Sequence, residues 1–168
     1  MLGRGRLLGH ERDMVGFTTY MDIALDEARL AAERGEVPVG AVLVSASGDV
    51  LARAGNRTRE LNDPTAHAEV LVIRAACAGL GQERLLGCEL WVTLEPCPMC
   101  AMAISAARIA KLVYGASDPK SGGIAQGPRI FDHAQAHHVP EVIDGVGEDV
   151  SAALLKDFFA ERRGSICY

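Results

Sequence analysis

Long apolar runs are missing from this sequence of 168 residues. No segment approaches the ~20 apolar residues of a transmembrane helix, and the opening stretch MLGRGRLLGHERDMVG lacks the apolar core of a secretory signal. We therefore expect a cytoplasmic protein with no membrane partner, whose five cysteines are reduced thiols.

A surplus of positive charge is also missing, because 22 acidic residues outnumber 17 Lys and Arg and give a net charge of −5. This balance argues against a general nucleic-acid binder, which uses excess Lys and Arg for phosphate contacts. A protein that binds only a few nucleotides needs only a local basic patch, so the charge balance does not exclude nucleic-acid binding of this limited kind.

The remaining composition is that of an ordinary globular protein, with 49% hydrophobic and 23% charged residues. The length suits one domain that buries about 70% of the surface its unfolded chain exposes. We assign residues 18–168 to this domain and residues 1–17 to a flexible N-terminal extension.

The first half of the chain is predicted to form two helices and a β-hairpin. Residues 20–34 place their apolar side chains on one helical face ahead of Gly35, a C-cap. The apolar runs PVGAVLVSA and DVLARAGN, separated by a Ser-Gly-Asp turn, predict the hairpin. Thr65 is predicted to cap a helix from about Ala66 to Leu80 that is buried nearly all round.

In the second half, CELWVTL and KLVYGA are predicted strands on either side of a short helix that begins at about Cys97. Residues 118–138 are rich in Gly, have no clear period and are predicted to form a long functional loop or an irregular helix. A last helix over about 148–163 has an apolar side made of Val150, Ala153, Leu154, Leu155, Phe158 and Phe159. This alternation predicts an α/β fold, a sheet with helices on both faces.

Two short motifs carry the chemistry, a His-Ala-Glu triplet at 67–69 and a Pro-Cys-Pro-Met-Cys run at 96–100. A His-x-Glu triplet is common by chance, but Pro-Cys-x-x-Cys is rare in a chain with five Cys and seven Pro. Taken alone, the cysteines would suit a redox pair or half of a structural zinc site as well as catalysis. With His67 they supply three zinc ligands and leave the fourth position for water, which favours an enzyme.

The spacing of these residues supports the zinc site and raises one difficulty. Cys97 and Cys100, in the first turn of a helix, lie roughly 60° apart around its axis, and the helix N-terminus favours thiolates. Glu69 would take a proton from zinc-bound water and return it to the leaving group. On a regular helix, however, His67 and Glu69 would point to opposite faces. Otherwise Glu69 is only an acidic residue favoured by the helix dipole.

TAHAEV and TLEPCPMC resemble the cytidine and nucleotide deaminase superfamily, whose zinc enzymes have this signature. EVPVGAVLV, GNR, DPTAHAE, YGASDPKSGG and ALLKDFFAERR narrow the resemblance to bacterial tRNA-specific adenosine deaminases, from about residue 20 to 163. The resemblance implies a three-layer α/β/α cytidine-deaminase-like fold with a mixed five-stranded sheet. It also implies hydrolytic conversion of the wobble adenosine of a tRNA anticodon to inosine, with release of ammonia, by a homodimer with one zinc ion per subunit.

Residue by residue, the resemblance implies zinc ligands at His67, Cys97 and Cys100, with Glu69 as the proton shuttle. For substrate binding it implies a purine-contacting Asn56, a base pocket at Val37 and Leu94, a carboxylate near the sugar at Asp118, and RNA contacts at Phe159, Arg162 and Arg163. Without the resemblance, these positions would be interpreted as turn residues, core residues and a solvated helix end.

Two other functions stay open. A deaminase of free guanine or cytosine, or of their nucleosides, would use the same zinc and glutamate chemistry. A non-catalytic, zinc-stabilised RNA-binding module would need a fourth protein ligand, such as Cys88 or a histidine.

The remaining cysteines and histidines carry weaker signals. Cys77, Cys88 and Cys167 have no ligand spacing and are expected to be ordinary thiols, the first two buried. A second metal site is a less favoured interpretation than loop surface or RNA contacts for His133, His137 and His138.

Overall fold

The structure is a computed structural model that describes residues 19–164, so the predicted extension at residues 1–17 and Cys167 lie outside the described residues. The elements, in chain order, are α1 (Tyr20–Glu33), β1 (Gly40–Val44), β2 (Val50–Gly55), α2 (Ala68–Leu80), β3 (Glu89–Leu94), α3 (Pro98–Ala106), β4 (Lys111–Ala116), β5 (Glu141–Ile143) and α4 (Glu148–Gly164). A turn of 3₁₀ helix at Ile130–Asp132 interrupts the loop before β5. In this described part, no helix is both long and apolar enough to cross a membrane.

The five strands form one mixed sheet in the order β2-β1-β3-β4-β5. β1 is antiparallel to β2 and β3, whereas β3, β4 and β5 run parallel to one another. α1 and α4 pack on one face of the sheet, and α2 and α3 pack on the other. The predicted three-layer α/β/α fold with a mixed five-stranded sheet is confirmed. Hydrophobic periodicity did not reveal β5, because this edge strand has three residues and all are exposed.

α1 forms where its apolar stripe and its cap both predict a helix. The Thr19 hydroxyl accepts a hydrogen bond from the Asp22 N–H at 3.2 Å, and the Asp22 carboxylate accepts one from the Thr19 N–H at 2.7 Å. Gly35 follows the helix with a φ of 78°, a conformation that favours glycine. The predicted apolar stripe is buried against the sheet: Met21, Ala24, Leu25, Ala28 and Ala31.

α2 differs from the prediction in its start and in its burial. Thr65 does not cap the helix, because its hydroxyl and its N–H both donate to the Asp63 carboxylate, at 2.7 and 2.8 Å. The helix therefore begins at Ala68, with His67 as its N-cap. The prediction of all-round burial is wrong as well, because an outward stripe is exposed: Arg74, Ala75, Ala78, Gly79 and Leu80. Most of this stripe consists of Ala and Gly, which carry little apolar surface, so its exposure costs little.

α4 meets the rest of the protein through a narrower stripe than the sequence predicted. Ser151 and Phe158 are buried and Leu154 and Leu155 are half-buried, at the spacing of one helical face. Val150, Ala153 and Phe159, which were predicted on the same apolar side, are exposed. They lie on either side of this stripe, so the helix keeps apolar side chains on its surface.

The close approach of β1 to α1 generates the first prediction. A Cβ added at Gly40 would lie 1.9 Å from the Ala24 carbonyl oxygen and 2.5 Å from the Ala28 nitrogen, both backbone atoms that cannot move aside. We expect Gly40→Ala to lower the free energy of unfolding by about 1–3 kcal/mol or more. The matched control is Gly79→Ala, which faces open space on α2 and is expected to be neutral or stabilising by up to about 1 kcal/mol. Urea denaturation measures both, and equal stabilities would contradict this packing.

Candidate zinc site and substrate cleft

The site lies along the edge of the sheet where several strands end. Leu94 and Ala116 are register partners at the carboxyl ends of the parallel strands β3 and β4. Gly40, at the start of β1, pairs with Gly55, at the end of β2, along the same edge. The loops that follow these strands therefore meet in one place, as expected for binding sites of α/β folds.

Two of the three predicted zinc ligands are helix N-caps that do not cap. His67 precedes α2 with φ −74° and ψ 149°, and Cys97 precedes α3 with φ −69° and ψ 168°. Neither side chain makes a capping hydrogen bond to its helix. The extended backbone of His67 is the departure from helical geometry that the sequence required, and it lets His67 and Glu69 line the same cavity.

The three donor atoms are spaced as zinc requires. His67 Nδ1 lies 3.7 Å from Cys97 Sγ and 3.6 Å from Cys100 Sγ. Tetrahedral coordination with Zn–S of about 2.3 Å and Zn–N of about 2.0–2.1 Å places sulfur and nitrogen about 3.6 Å apart. Among the described residues, these side chains form the one group of three or more His, Cys, Asp and Glu donors close enough to share an ion. The residues present therefore fit zinc with one position open.

Hydrogen bonds among these three side chains shift their pKa values in different directions. A hydrogen bond from Cys100 is the main cause that lowers the pKa of Cys97 to about 4, and His67 adds to it. The same bond and burial raise the pKa of Cys100. Hydrogen bonding to Cys97 raises the pKa of His67. The lowered pKa favours the thiolate form of Cys97, which is the form that binds zinc.

Glu69 lies at the second helical position of α2 and is almost fully enclosed, with 3% of its surface exposed. Burial raises its pKa to about 6. Its Oε2 atom is one of two buried side-chain oxygens in residues 19–164 without a hydrogen-bond partner. A buried oxygen without a partner is costly, so this carboxylate is prepared for a group that the protein itself does not supply.

Most of the predicted binding residues line a cavity of about 200 Å³ above the donor atoms. This volume is below the ~300–1,000 Å³ of pockets for drug-sized ligands and suits a single flat base. A second cavity of about 310 Å³ shares Val37, Leu94, Asp118 and Ser121 with the first and extends to Phe159 on α4. Predicted residues in the first cavity are Val37, Asn56, His67, Glu69, Leu94, Cys97 and Asp118.

Asn56 is more than a turn residue. It follows β2, is buried, and its Oδ1 accepts a hydrogen bond from the Ala68 N–H at 2.9 Å. Asn56 thereby caps α2 from a distance and takes the place of His67, whose side chain is directed to the sulfurs. This contact fixes the orientation of the amide and leaves its NH₂ group as the donor available to the cavity.

The structure separates the three predicted RNA contacts of α4. Phe159 is 46% exposed and borders the second cavity. Arg162 is half-buried, stacks 4.2 Å above the Phe158 ring and donates a hydrogen bond to the Gly35 carbonyl. Arg163 is exposed. Neither arginine is among the residues that line the two cavities.

Four residues that were not predicted as site residues also line the first cavity, namely Val39, Thr58, Glu95 and Ser121. Glu95 carried a usable signal, because it follows a buried strand and precedes the metal-ligand turn, at the edge where such folds place their sites. Val39, at the start of an apolar run, could not be told apart from core.

Within the described residues, His133 and His138 are bound to backbone carbonyl oxygens, and Cys77 and Cys88 are free thiols. His133 bonds to the Pro128 carbonyl oxygen at 2.7 Å, and His138 to the Ile109 carbonyl oxygen at 2.6 Å. No second group of metal donors occurs within residues 19–164. Cys88 is buried as predicted, but Cys77 is only half-buried because it borders the exposed stripe of α2.

Comparison with known proteins identifies the family. The family model of the cytidine and deoxycytidylate deaminase zinc-binding region matches residues 17–116. A tRNA-specific adenosine deaminase of Agrobacterium fabrum is 60% identical over 146 residues, which cover 87% of this chain and 95% of that protein. The chain belongs to the cytidine and deoxycytidylate deaminase family. This membership confirms the predicted enzyme class and its zinc cofactor.

Further relatives of this deaminase place it close to one branch of the family. A tRNA-specific adenosine deaminase of Bacillus subtilis is 46% identical over 86% of this chain and 89% of that protein. A solved structure from a study of A-to-I editing by tRNA:A34 deaminases superposes with a TM-score of 0.80 at 61% identity, covering 81% of this chain and 98% of the other. The resemblance to tRNA-specific adenosine deaminases is confirmed.

The donor group generates the second prediction. We expect Cys100→Ala to lose zinc and to unfold at a lower temperature, because thiolate coordination contributes to folding. Cys88→Ala is the control, since Cys88 is buried and free but lies outside the donor group. Metal analysis of the purified proteins and thermal unfolding with and without a chelator measure both effects. Full zinc content in Cys100→Ala would contradict the ligand assignment.

Proposed function

We propose that this protein deaminates the adenosine at the wobble position of a tRNA anticodon to inosine and releases ammonia. The observation that carries the proposal is the partnerless Oε2 atom of Glu69, buried beside a group of three zinc donors in a cavity of the size of one base. The similarity to tRNA-specific adenosine deaminases over 87% of the chain favours this substrate over a free base.

The proposed mechanism assigns one task to each side chain of the cavity. His67, Cys97 and Cys100 hold the zinc ion, which when bound lowers the pKa of water and supplies a nucleophile near neutral pH. Glu69 takes up a proton at its free oxygen and delivers it to the leaving amine, and burial, which raises the pKa of its carboxyl group, favours the uptake of that proton. Asn56 orients the purine, and Val37 and Leu94 contact its faces.

The second cavity favours a nucleic-acid substrate over a free base. A deaminase of free bases needs room for one base only, whereas this cleft continues past Asp118 to the exposed ring of Phe159, with Lys120 at its border. An aromatic face and a cation suit an unstacked neighbouring nucleotide and its phosphate. We place the sugar of the target nucleotide near Asp118 and a flanking base near Phe159.

The non-catalytic zinc module is disfavoured. A structural zinc site uses four protein ligands, whereas the donor group within residues 19–164 has three. Neither Cys88 nor a second histidine, the fourth ligands that this alternative would use, is a member of the group.

The partners belong to the same proposal. The proposed substrate is the anticodon stem-loop of a tRNA, and the proposed location of the enzyme is the cytoplasm. We propose a homodimer, which is supported by the apolar outer side of α3, where Met99 and Met102 are 37% and 38% exposed.

The third prediction tests the reaction through Glu69. Glu69→Ala is expected to keep zinc and fold but to lose about 10²–10⁴ in rate, because it removes the proton acceptor and not a ligand. Ammonia release is measured on an anticodon stem-loop with adenosine at the wobble position, and on free adenine, guanine and cytosine. The parent is expected to act on the stem-loop alone. Turnover of free bases only would favour the alternative deaminase, and loss of zinc from Glu69→Ala would make Glu69 a ligand.

The fourth prediction separates the two arginines of α4. Arg163→Ala should leave stability within about 0.5 kcal/mol but weaken stem-loop binding and reduce its salt dependence by up to about 1 unit of slope. Arg162→Ala should lower stability by about 0.5–2 kcal/mol, because it removes the stack on Phe158 and the bond to Gly35. Thermal unfolding and a binding titration across a salt series measure both. If Arg163→Ala binds the stem-loop as tightly as the parent, the end of α4 has only a structural role.

A further inference from the structure

Glu95 is a buried carboxylate, 2% exposed, that follows β3 and borders the first cavity. Both of its oxygens are occupied by donors from the loop after β4. Oε2 accepts from the Ser117 hydroxyl at 3.1 Å and the Asp118 N–H at 3.0 Å. Oε1 accepts three further backbone N–H groups, those of Ile124, Ala125 and Gln126, at 3.1, 2.8 and 2.9 Å.

The loop is folded so closely around this carboxylate that side chains are excluded. A Cβ at Gly122 would lie 2.6 Å from the carboxyl carbon of Glu95 and 2.7 Å from its Oε1. A Cβ at Gly123 would lie 2.6 Å from the Pro98 nitrogen, and the Gly123 N–H donates to the Pro96 carbonyl at 2.8 Å. Residues 117–126 are therefore held between Glu95 and the turn that carries the metal ligands.

The segment held in this way forms one wall of the cleft. Asp118 and Ser121 line both cavities. The Asp118 carboxylate accepts the N–H groups of Lys120 and Ser121 at 3.1 and 3.0 Å, so its position follows from the backbone that Glu95 fixes. The charge of Glu95 suits the task. Burial raises its pKa, but the N–H donors of Gln126, Asp118, Ala125 and Ile124 lower it by more, so the group stays ionised and accepts at both oxygens.

We infer that Glu95 is a positioning residue for the reaction, which fixes residues 117–126 so that Asp118 and Ser121 meet the nucleotide bound in the cleft. This inference rests on the proposed function. Glu95 acts on substrate through Asp118 and not by proton transfer, because both of its oxygens are already engaged by the loop.

A second buried glutamate provides an internal comparison on the opposite wall. Glu36 is 1% exposed and accepts from the Thr58 hydroxyl at 3.1 Å and from the Arg59 and Glu60 N–H groups at 2.9 Å each. It thus holds the loop that brings Thr58 to the cavity. Glu36 has no contact with Asp118 among these hydrogen bonds, so a substitution there removes a similar set of bonds without acting on the Asp118 wall.

The first arm of the test is Glu95→Gln, which keeps the shape of the side chain. Its single carbonyl oxygen can still face the three N–H groups at 124–126, but its NH₂ group then faces the Asp118 N–H, donor against donor. For the anticodon stem-loop we expect KM to rise on the order of tenfold, kcat to change less than KM, and zinc content to stay unchanged. Loss of zinc, or an equal KM and kcat to the parent, would overturn the inference.

The second arm is a pair of double-mutant cycles with Asp118→Asn. If Glu95 acts through Asp118, Glu95→Gln should add little to Asp118→Asn, whereas Glu36→Gln should multiply with it. Independent effects in both cycles would overturn the inference. Failure of the proposed function is distinguished at the start, because the parent would then leave the stem-loop unchanged.

The third arm changes the loop instead of Glu95 and disturbs the same contact between the carboxylate and residues 117–126. It tests the inference even if Glu95→Gln does not fold. Gly122→Ala forces the loop away from the carboxylate and is expected to raise KM for the stem-loop as Glu95→Gln does. Gly79→Ala, with nothing within 4 Å of the added carbon, is the control and should match the parent. A Gly122→Ala enzyme with the parent's KM would overturn the inference.

Discussion

The site depends on the N-termini of α2 and α3, where the N-cap side chain makes no capping hydrogen bond. At a helix N-terminus, a side-chain oxygen normally satisfies a free N–H group. Here His67 and Cys97 occupy the N-cap positions but belong to the group of zinc donors, in which His67 Nδ1 lies within 3.7 Å of the sulfurs of Cys97 and Cys100. The missing cap of α2 comes from Asn56, on the loop after β2. The position of the zinc donors, the start of α2 and the loop after β2 therefore depend on one another.

The walls of the cleft are organised by buried carboxylates rather than by regular secondary structure. Glu36 and Glu95 each collect N–H groups from a loop that has no strand or helix to satisfy them. A buried charge is tolerated where several donors surround it. Glu69 is the exception among these buried carboxylates, because no described residue hydrogen-bonds to its Oε2 atom. The contrast between satisfied and unsatisfied carboxylates distinguishes the groups that hold the cleft from the group proposed to move protons.

Much of this arrangement could be predicted from the sequence, because strong local patterns determine it. The apolar stripe of α1, the hairpin and the Cys-x-x-Cys helix start are local signals, and all three are confirmed. The start of α2 could not be predicted, because Thr65 bonds to Asp63 instead of capping. The convergence of His67 and Glu69 follows from that same start. The loop contacts of Glu95 could not be predicted, since its partners lie 22 to 31 residues further along the chain. The hydrogen bond from Arg162 to Gly35 spans 127 residues and could not be predicted either.

By the proposed function, this cleft hydrolyses the amine of one adenosine in the anticodon of a tRNA. Incubation of a tRNA that has adenosine at the wobble position, in water labelled with heavy oxygen, tests this claim directly. Mass spectrometry of the fragments after nuclease digestion should find inosine at the wobble position alone, with one heavy oxygen atom in its base. An unmodified anticodon, together with deamination of a free base, would contradict the account.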